Sequence, residues 1–164
     1  AGNVIGGGDW ADNRIMPDIM RGILNKKIIK IRNPTAVRPW QHVLEPLRGY
    51  LELAEKLYNY KSEYTESWNF GPDDDVKPVS WIVNKVVEMW GEDVQVDFDD
   101  DRLDYKHETS FLRLDCSKAK SKLKWNPKIK LEEGLKLTVN WYKQYEQTKE
   151  LREFTENQIE EYAY

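Results

Sequence analysis

The chain has 164 residues, a net charge of −4, and 33% charged against 40% hydrophobic residues. That length holds one domain or a piece of a larger protein, and the acidic balance argues against a general nucleic-acid binder. No apolar run approaches the roughly 18 residues of a membrane span, and no signal peptide is read. The single cysteine, Cys116, leaves no internal disulfide framework and points to a reducing, cytoplasmic compartment.

The chain opens at Ala1 on residues that already read as buried structure, the expectation for a piece of a longer protein. "AGNVI" is a short strand emptying into glycines. "RIMPDIMRGILNKK" predicts a helix with Pro17 in its first turn, where a missing N–H costs nothing, and Ile15, Ile19, Ile23 and Leu24 on its apolar face. "IIKI" predicts a strand stopped by "RNP", and "VRPWQHVLEP" an extended stretch, because residues before proline avoid the α region. From Pro46 the spacing of Leu47, Tyr50, Leu51, Ala54, Leu57 and Tyr58 predicts a helix with these residues inward and Arg48, Glu52, Glu55 and Lys56 outward. "ESWNFG" predicts a buried strand. Ser80 can cap a helix carrying Ile82, Val83, Val86, Val87 and Trp90 and ended by Gly91. "VQVDF" and "SFLRLD" predict strands, and "CSKAKSKLKW" a short helix. A long helix runs from Leu131 through Leu135, Thr138, Val139, Tyr142 and Tyr145, and residues 148–164 form a helical or frayed tail. Strands interleaved with helices indicate an α/β class.

Charge is unevenly spread. Residues 1–48 hold eight Lys/Arg against four acids, and residues 92–108 eight acids against two bases. A small anionic ligand held by the first segment, or solvated charge, both account for this. Arginine suits a pyrophosphate because its planar fork donates two bonds and keeps its charge.

Gly6, Gly8 and Ala11 in "GNVIGGGDWA" satisfy the dinucleotide-turn pattern G-x-G-x-x-G/A. The context fails it: Asp9 would repel phosphates, Pro17 interrupts the expected helix, and Arg32 stands where an acid should hold the ribose. The other reading is a loop whose glycines permit positive φ or close backbone approach. In "DFDDDRLDYKHE", Asp97, Asp99, Asp101 and Glu108 match calcium-loop positions, but Arg102 occupies the obligatory glycine, leaving a solvated acidic loop as the better reading. His42 and His107 are too few for a metal centre, and no nucleophile elbow or P-loop is present.

Taken together, "AGNVIGGGDWADNRIMPD", "IRNPTAVRPWQHVLEPLRGYLELAEKL", "WNFGP", "HETSFLRLDCSKAKSKLKWNP" and "LEEGLKLTVNWYKQY" resemble the C-terminal half of the extended short-chain dehydrogenase/reductase family. The "RNP…RPWQHVLEPL" stretch looks like its CDP-glucose 4,6-dehydratase branch. The resemblance spans residues 1–147 and implies a Rossmann-type α/β fold whose C-terminal part carries the small substrate-binding domain. It implies an NAD-dependent reaction: oxidation at sugar C4, loss of water across C5–C6, and hydride return to C6, giving CDP-4-dehydro-6-deoxy-glucose. The cofactor turn, the Tyr-x-x-x-Lys pair and the acid–base residues lie in the N-terminal Rossmann half of such enzymes. This chain alone is therefore expected to hold no NAD, to be inactive, and to expose apolar faces built to meet that half.

Carried over by position, Asn3 and Arg14 match phosphate contacts, Ile31 and Arg32 fall where the base is met, and Arg38 matches the arginine that pairs with the diphosphate. His107 and Glu108 match a pair near the nucleotide ribose or phosphate. The loop around Arg102 departs from the family in length. An epimerase or reductase acting on a nucleotide sugar, and a non-catalytic binding module, remain alternatives.

Overall fold

The computed structural model describes residues 1–73, 76–91, 94–99 and 110–163. In chain order the elements are β1 (Asn3–Ile5), α1 (Ile15–Leu24), β2 (Ile29–Arg32), β3 (Val37–Arg38), β4 (Trp40–His42), α2 (Leu44–Tyr60), β5 (Lys77–Pro78), α3 (Val79–Trp90), β6 (Val96–Asp99), α4 (Leu131–Thr148) and α5 (Arg152–Ala163). This is the expected α/β alternation. β1 pairs in parallel with β4, with Asn3 opposite Trp40 and Ile5 opposite His42. β2 pairs in parallel with β6, and β3 antiparallel with β5. Parallel pairing demands a crossover, and α1 with β2 and β3 supplies it between β1 and β4. Among the described residues, the edge of β1 away from β4 carries no strand.

One main core joins these pieces. Met16, Ile19, Met20 and Ile23 of α1 pack on Ile29 and Ile31 of β2, then on Ile82, Val83, Val86 and Trp90 of α3 and Leu135, Val139 and Tyr142 of α4. Each such side chain contributes about 1.5–3 kcal/mol of burial. β2 alternates strictly: Ile29 and Ile31 are buried while Lys30 and Arg32 stay exposed. That period of two turns the cations to the face opposite the core. A smaller cluster forms around Phe70, Cys116, Ala119, Leu123 and Trp125.

Several expected elements differ. Residues 66–71 form no strand: the Phe70 carbonyl accepts the Gly2 N–H at 3.2 Å and the Gln41 side-chain amide at 2.8 Å instead of a ladder partner. "SFLRLD" is reduced to a single bridge between Val37 and Phe111. Ser80 does not cap α3; Pro78 precedes that helix, and Ser80 lies in its first turn with its N–H donated to the Pro34 carbonyl. Gly91 does end α3, at φ +85°. The short helix after Cys116 becomes a widened turn over Ala119–Leu123, closed by Lys124 in the left-handed region.

α2 starts at Leu44 and is rotated from its expected orientation. Its buried residues are Glu45, Pro46 and Gly49. Leu51 and Tyr58 are 72% and 85% exposed, and Leu47, Tyr50 and Ala54 are exposed beside them. The polar side faces inward for a chemical reason. Glu45, fully buried, accepts the N–H groups of Lys128 and Ile129 at 2.8 and 2.6 Å on Oε1, and the Tyr162 hydroxyl at 3.1 Å on Oε2. Arg48 sits 3.6 Å from Glu45 Oε2, donates to Glu52 and Tyr162, and lies over the Trp125 ring. Residues 152–163 return along α4, where Trp141 donates to Thr155 at 2.9 Å and Gln158 to the Leu137 carbonyl at 3.0 Å.

Candidate functional site

A cleft of about 330 Å³ lies between the first turn of α1, the end of β2, β3–β4 and the start of α3. The β2 alternation delivers Lys30 and Arg32 to it. Pro34 and Pro39 bracket β3, which delivers Arg38, whose Nη1 donates to the Val37 carbonyl at 3.0 Å. Ile15, Ala36, Trp40 and Val79 form the apolar wall, and Asp18 is the one acid lining it among the described residues. Trp40 is 3% exposed, and its Nε1 has no hydrogen-bond partner among the described residues. The arrangement is cationic with a flat apolar side, chemistry suited to a phosphorylated ligand with a planar group.

Of the residues singled out in the sequence, Arg32 and Arg38 come together here. Ile31 does not bring its side chain: it is 1% exposed and packs in the core. Arg14 lies between two lining residues, Asn13 and Ile15, but its exposed guanidinium pairs with Asp9 at 3.2 Å. Asn3 sits half-buried in β1, beside Trp40 in the ladder, rather than in the cleft wall. His107, Glu108 and Arg102 lie outside the described residues. So do Asp101 and much of the acidic loop; Asp97 and Asp99 belong to β6, a strand rather than the start of a calcium loop. Among the described residues no cluster of acids, histidines or cysteines could hold a metal ion.

Asp18, Lys30 and Arg21 were not recognised as contributors in the sequence. Arg21 staples the glycine loop onto α1: Nη1 donates to the Trp10 carbonyl at 2.8 Å, and Nη2 to the Ala11 carbonyl at 3.2 Å and to Asp18 Oδ1 at 2.5 Å. An arginine on an amphipathic helix carries no local signal of such a role. Trp40 lies within a quoted motif, but only its burial shows that it walls the cleft.

The glycine loop itself is explained by α4. A Cβ on Gly7 would stand 2.0 Å from Trp141 Cγ, and Gly8 adopts φ +79°. The Tyr142 hydroxyl donates to the Asp9 carbonyl at 2.6 Å, and Trp10 packs on Tyr142 and Tyr145 at 5.1 and 5.0 Å. α1 begins only at Ile15, and the Trp141 indole lies directly against Gly7, where a dinucleotide turn would need its backbone open to pyrophosphate. These residues do not fit NAD; the close-approach reading holds.

His42 is buried at 4% exposure, and burial pushes its pKa down to about 4. It is a neutral structural group. Burial likewise pushes the Cys116 thiol up, away from reactivity. Tyr145 and Lys149 do have Tyr-x-x-x-Lys spacing. Lys149 Nζ lies 3.6 Å from the centre of the Tyr145 ring, a cation–π contact at the end of α4 and not an activated hydroxyl.

No family model matches the chain. It is 45% identical over 163 residues to the CDP-glucose 4,6-dehydratase of Salmonella typhimurium, covering 99% of this chain and 45% of that protein. A UDP-glucose 4-epimerase from Thermotoga maritima, solved with UDP-glucose, matches at a TM-score of 0.72 and 28% identity over 87% of this chain and 44% of that one. A dTDP-glucose 4,6-dehydratase from Bacillus anthracis, solved with NAD, shares the fold at a TM-score of 0.67 and 20% identity, over 90% and 44%. The chain spans less than half the length of each of these relatives. The chain is thus similar over nearly its whole length to part of one sugar-nucleotide dehydratase, and it shares the Rossmann-type α/β fold of these epimerases and dehydratases.

Proposed function

We propose that this chain is the nucleotide-sugar-binding portion of a CDP-glucose 4,6-dehydratase, a hydro-lyase that forms CDP-4-dehydro-6-deoxy-D-glucose. The observation that carries the proposal is the cleft in which Arg32 and Arg38 converge beside Trp40, in a chain 45% identical to such an enzyme. The roles of these residues follow from their chemistry. Arg38 holds the diphosphate by charge-assisted bonds, and Arg32 with the apolar wall receives the planar base. By the family resemblance Asn3 and Arg14 contact the phosphates from the strand and loop beside the cleft, Ile31 meets the base through its backbone, and His107 and Glu108, outside the described residues, are assigned to the nucleotide ribose or phosphate.

By the family resemblance, the NAD cradle and the acid–base set for dehydration belong to an N-terminal Rossmann half. Two surfaces support such a partner. Among the described residues the outer edge of β1 pairs with no strand, and the Leu47–Leu51–Tyr58 face of α2 is apolar and exposed. Both are liabilities unless covered.

Titration of the chain with CDP, CDP-glucose and NAD tests the proposal. The cytidine compounds are expected to bind and NAD not to. Arg38→Ala is expected to weaken CDP binding by about 1–3 kcal/mol through loss of a charge-assisted bond. Unchanged binding removes Arg38 from the site. Joined to its remaining half, the protein is expected to convert CDP-glucose in the presence of NAD. Turnover of a UDP-sugar instead would favour the second reading, an epimerase, which a 30-residue stretch 63% identical to a UDP-glucuronate 4-epimerase of Thermodesulfobacterium geofontis keeps in view.

A further inference from the structure

We infer that Asp18 makes the cleft select an amino-bearing pyrimidine, so that it takes a cytidine diphosphate in preference to a uridine diphosphate. This rests on reading the cleft as a nucleotide-diphosphate site. Among the described residues, the charged groups lining the cleft apart from Asp18 are cations: Lys30, Arg32 and Arg38. A carboxylate beside bound phosphates repels them, so an acid in such a site has to face a hydrogen-bond donor of the ligand. Arg21 holds the carboxylate in place through Oδ1 at 2.5 Å while gripping the carbonyls of Trp10 and Ala11. Oδ1 is thereby occupied. Oδ2 has no hydrogen-bond partner among the described residues, and the Asp18 side chain remains 42% exposed.

The pyrimidines differ at the position that matters. Cytosine carries an N4 amine with two N–H donors; uracil presents the acceptor O4 in the same place. A carboxylate oxygen accepts from the first and is repelled by the second. Ribose hydroxyls are the other donors on the ligand, but they are identical in the two nucleotides. Discrimination between CDP and UDP therefore separates contact with the base from contact with the ribose.

The test titrates the ¹⁵N-labelled 164-residue chain with CDP and with UDP, following the cleft amides and the Trp40 indole by NMR. Asp18→Asn keeps an acceptor for Arg21 and turns an amide N–H toward the cleft, which suits uracil. Asp18→Ala, read in parallel, removes the acceptor without adding a donor. The wild-type chain is expected to bind CDP at least about tenfold more tightly than UDP, the scale of one good base contact. Asp18→Ala brings the ratio toward one, and Asp18→Asn brings it to one or inverts it. Arg38→Ala weakens both nucleotides by the same factor. A wild type without preference, or a ratio that survives both Asp18 substitutions, overturns the inference and leaves the reading of the cleft intact. Cleft resonances that respond to neither nucleotide overturn that reading and this inference with it.

Discussion

Glu45→Ala is the substitution whose effect the structure specifies most fully. The side chain has no exposure, and its two oxygens serve four partners on three segments. Removing it takes the carboxylate acceptor from the part-buried N–H groups of Lys128 and Ile129, each bond to a charged group worth about 1.5–3 kcal/mol. It also takes one of two carboxylates from Arg48, which keeps Glu52. Tyr162, and with it the far end of α5, loses its acceptor. Because Arg48 retains a counter-charge, the sum falls near the figure for breaking a buried ion pair, about 4 kcal/mol. With a urea dependence of about 2 kcal/mol per molar for a chain of this size, the unfolding midpoint drops by about 2 M. Glu45→Gln keeps an acceptor for the two backbone donors and is expected to lose less than half as much. A loss below about 1 kcal/mol for alanine, or equal losses for both variants, would show that the carboxylate does not join α2 to the 126–129 segment.

Other outcomes follow from particular contacts. His42 titrates near 6.5 when unfolded and about 4 when folded, so its contribution to stability is complete above pH 6.5 and is lost as pH falls toward 4. The span amounts to about 3 kcal/mol, measured as urea midpoints across that window; His42→Gln is expected to flatten the curve, and an unaltered curve would remove His42 as its source. Gly7→Ala drives a methyl into the Trp141 indole and is expected to cost about 1–3 kcal/mol and shift tryptophan emission; a silent variant would contradict the close approach. Gly91→Ala meets nothing within 4 Å, so its loss, about 1 kcal/mol, comes from the left-handed backbone alone and leaves the emission unchanged. Tyr142→Phe removes the hydrogen bond to the Asp9 carbonyl and is expected to cost about 1 kcal/mol, with faster amide exchange confined to the 6–12 loop.

Local pattern alone was enough for the elements that carry their own periodicity. Ile19 and Ile23, Ile82 to Trp90 and Leu131 to Tyr142 repeat at helical spacing and are buried as that spacing requires, while Ile15 and Leu24 of the expected α1 face stay half-buried and Met16 and Met20 fill the core. The alternation from Ile29 to Arg32 reveals both the strand and the side on which its cations stand. Arg32 and Arg38 were legible as ligand-binding candidates because cations near strand ends signal anion chemistry. Where apolar spacing misled, a polar network was the cause. The inward face of α2 was decided by the bonds of Glu45 and Arg48 to segments more than 70 residues away, which helical periodicity cannot register. The strand expected at 66–71 failed because the Phe70 carbonyl found partners in Gly2 and Gln41 rather than a neighbouring strand.

The sequence by itself determined the α/β class, the three packed helices and the cationic character of the first 48 residues, since each depends on neighbours close in the chain. The glycine run shows where that ends. Its residues satisfy a cofactor pattern, and their composition says only that backbone must turn or approach something closely. Tertiary structure alone decided what is approached: the Trp141 indole from α4, more than 130 residues away, with Tyr142 and Arg21 fixing the loop. The same is true of Asp18, an ordinary acid in a helix's first turn until β2 and β3 bring three cations around it. Contacts between distant segments are selected by packing and hydrogen-bond satisfaction over the whole chain, and no local stretch encodes them.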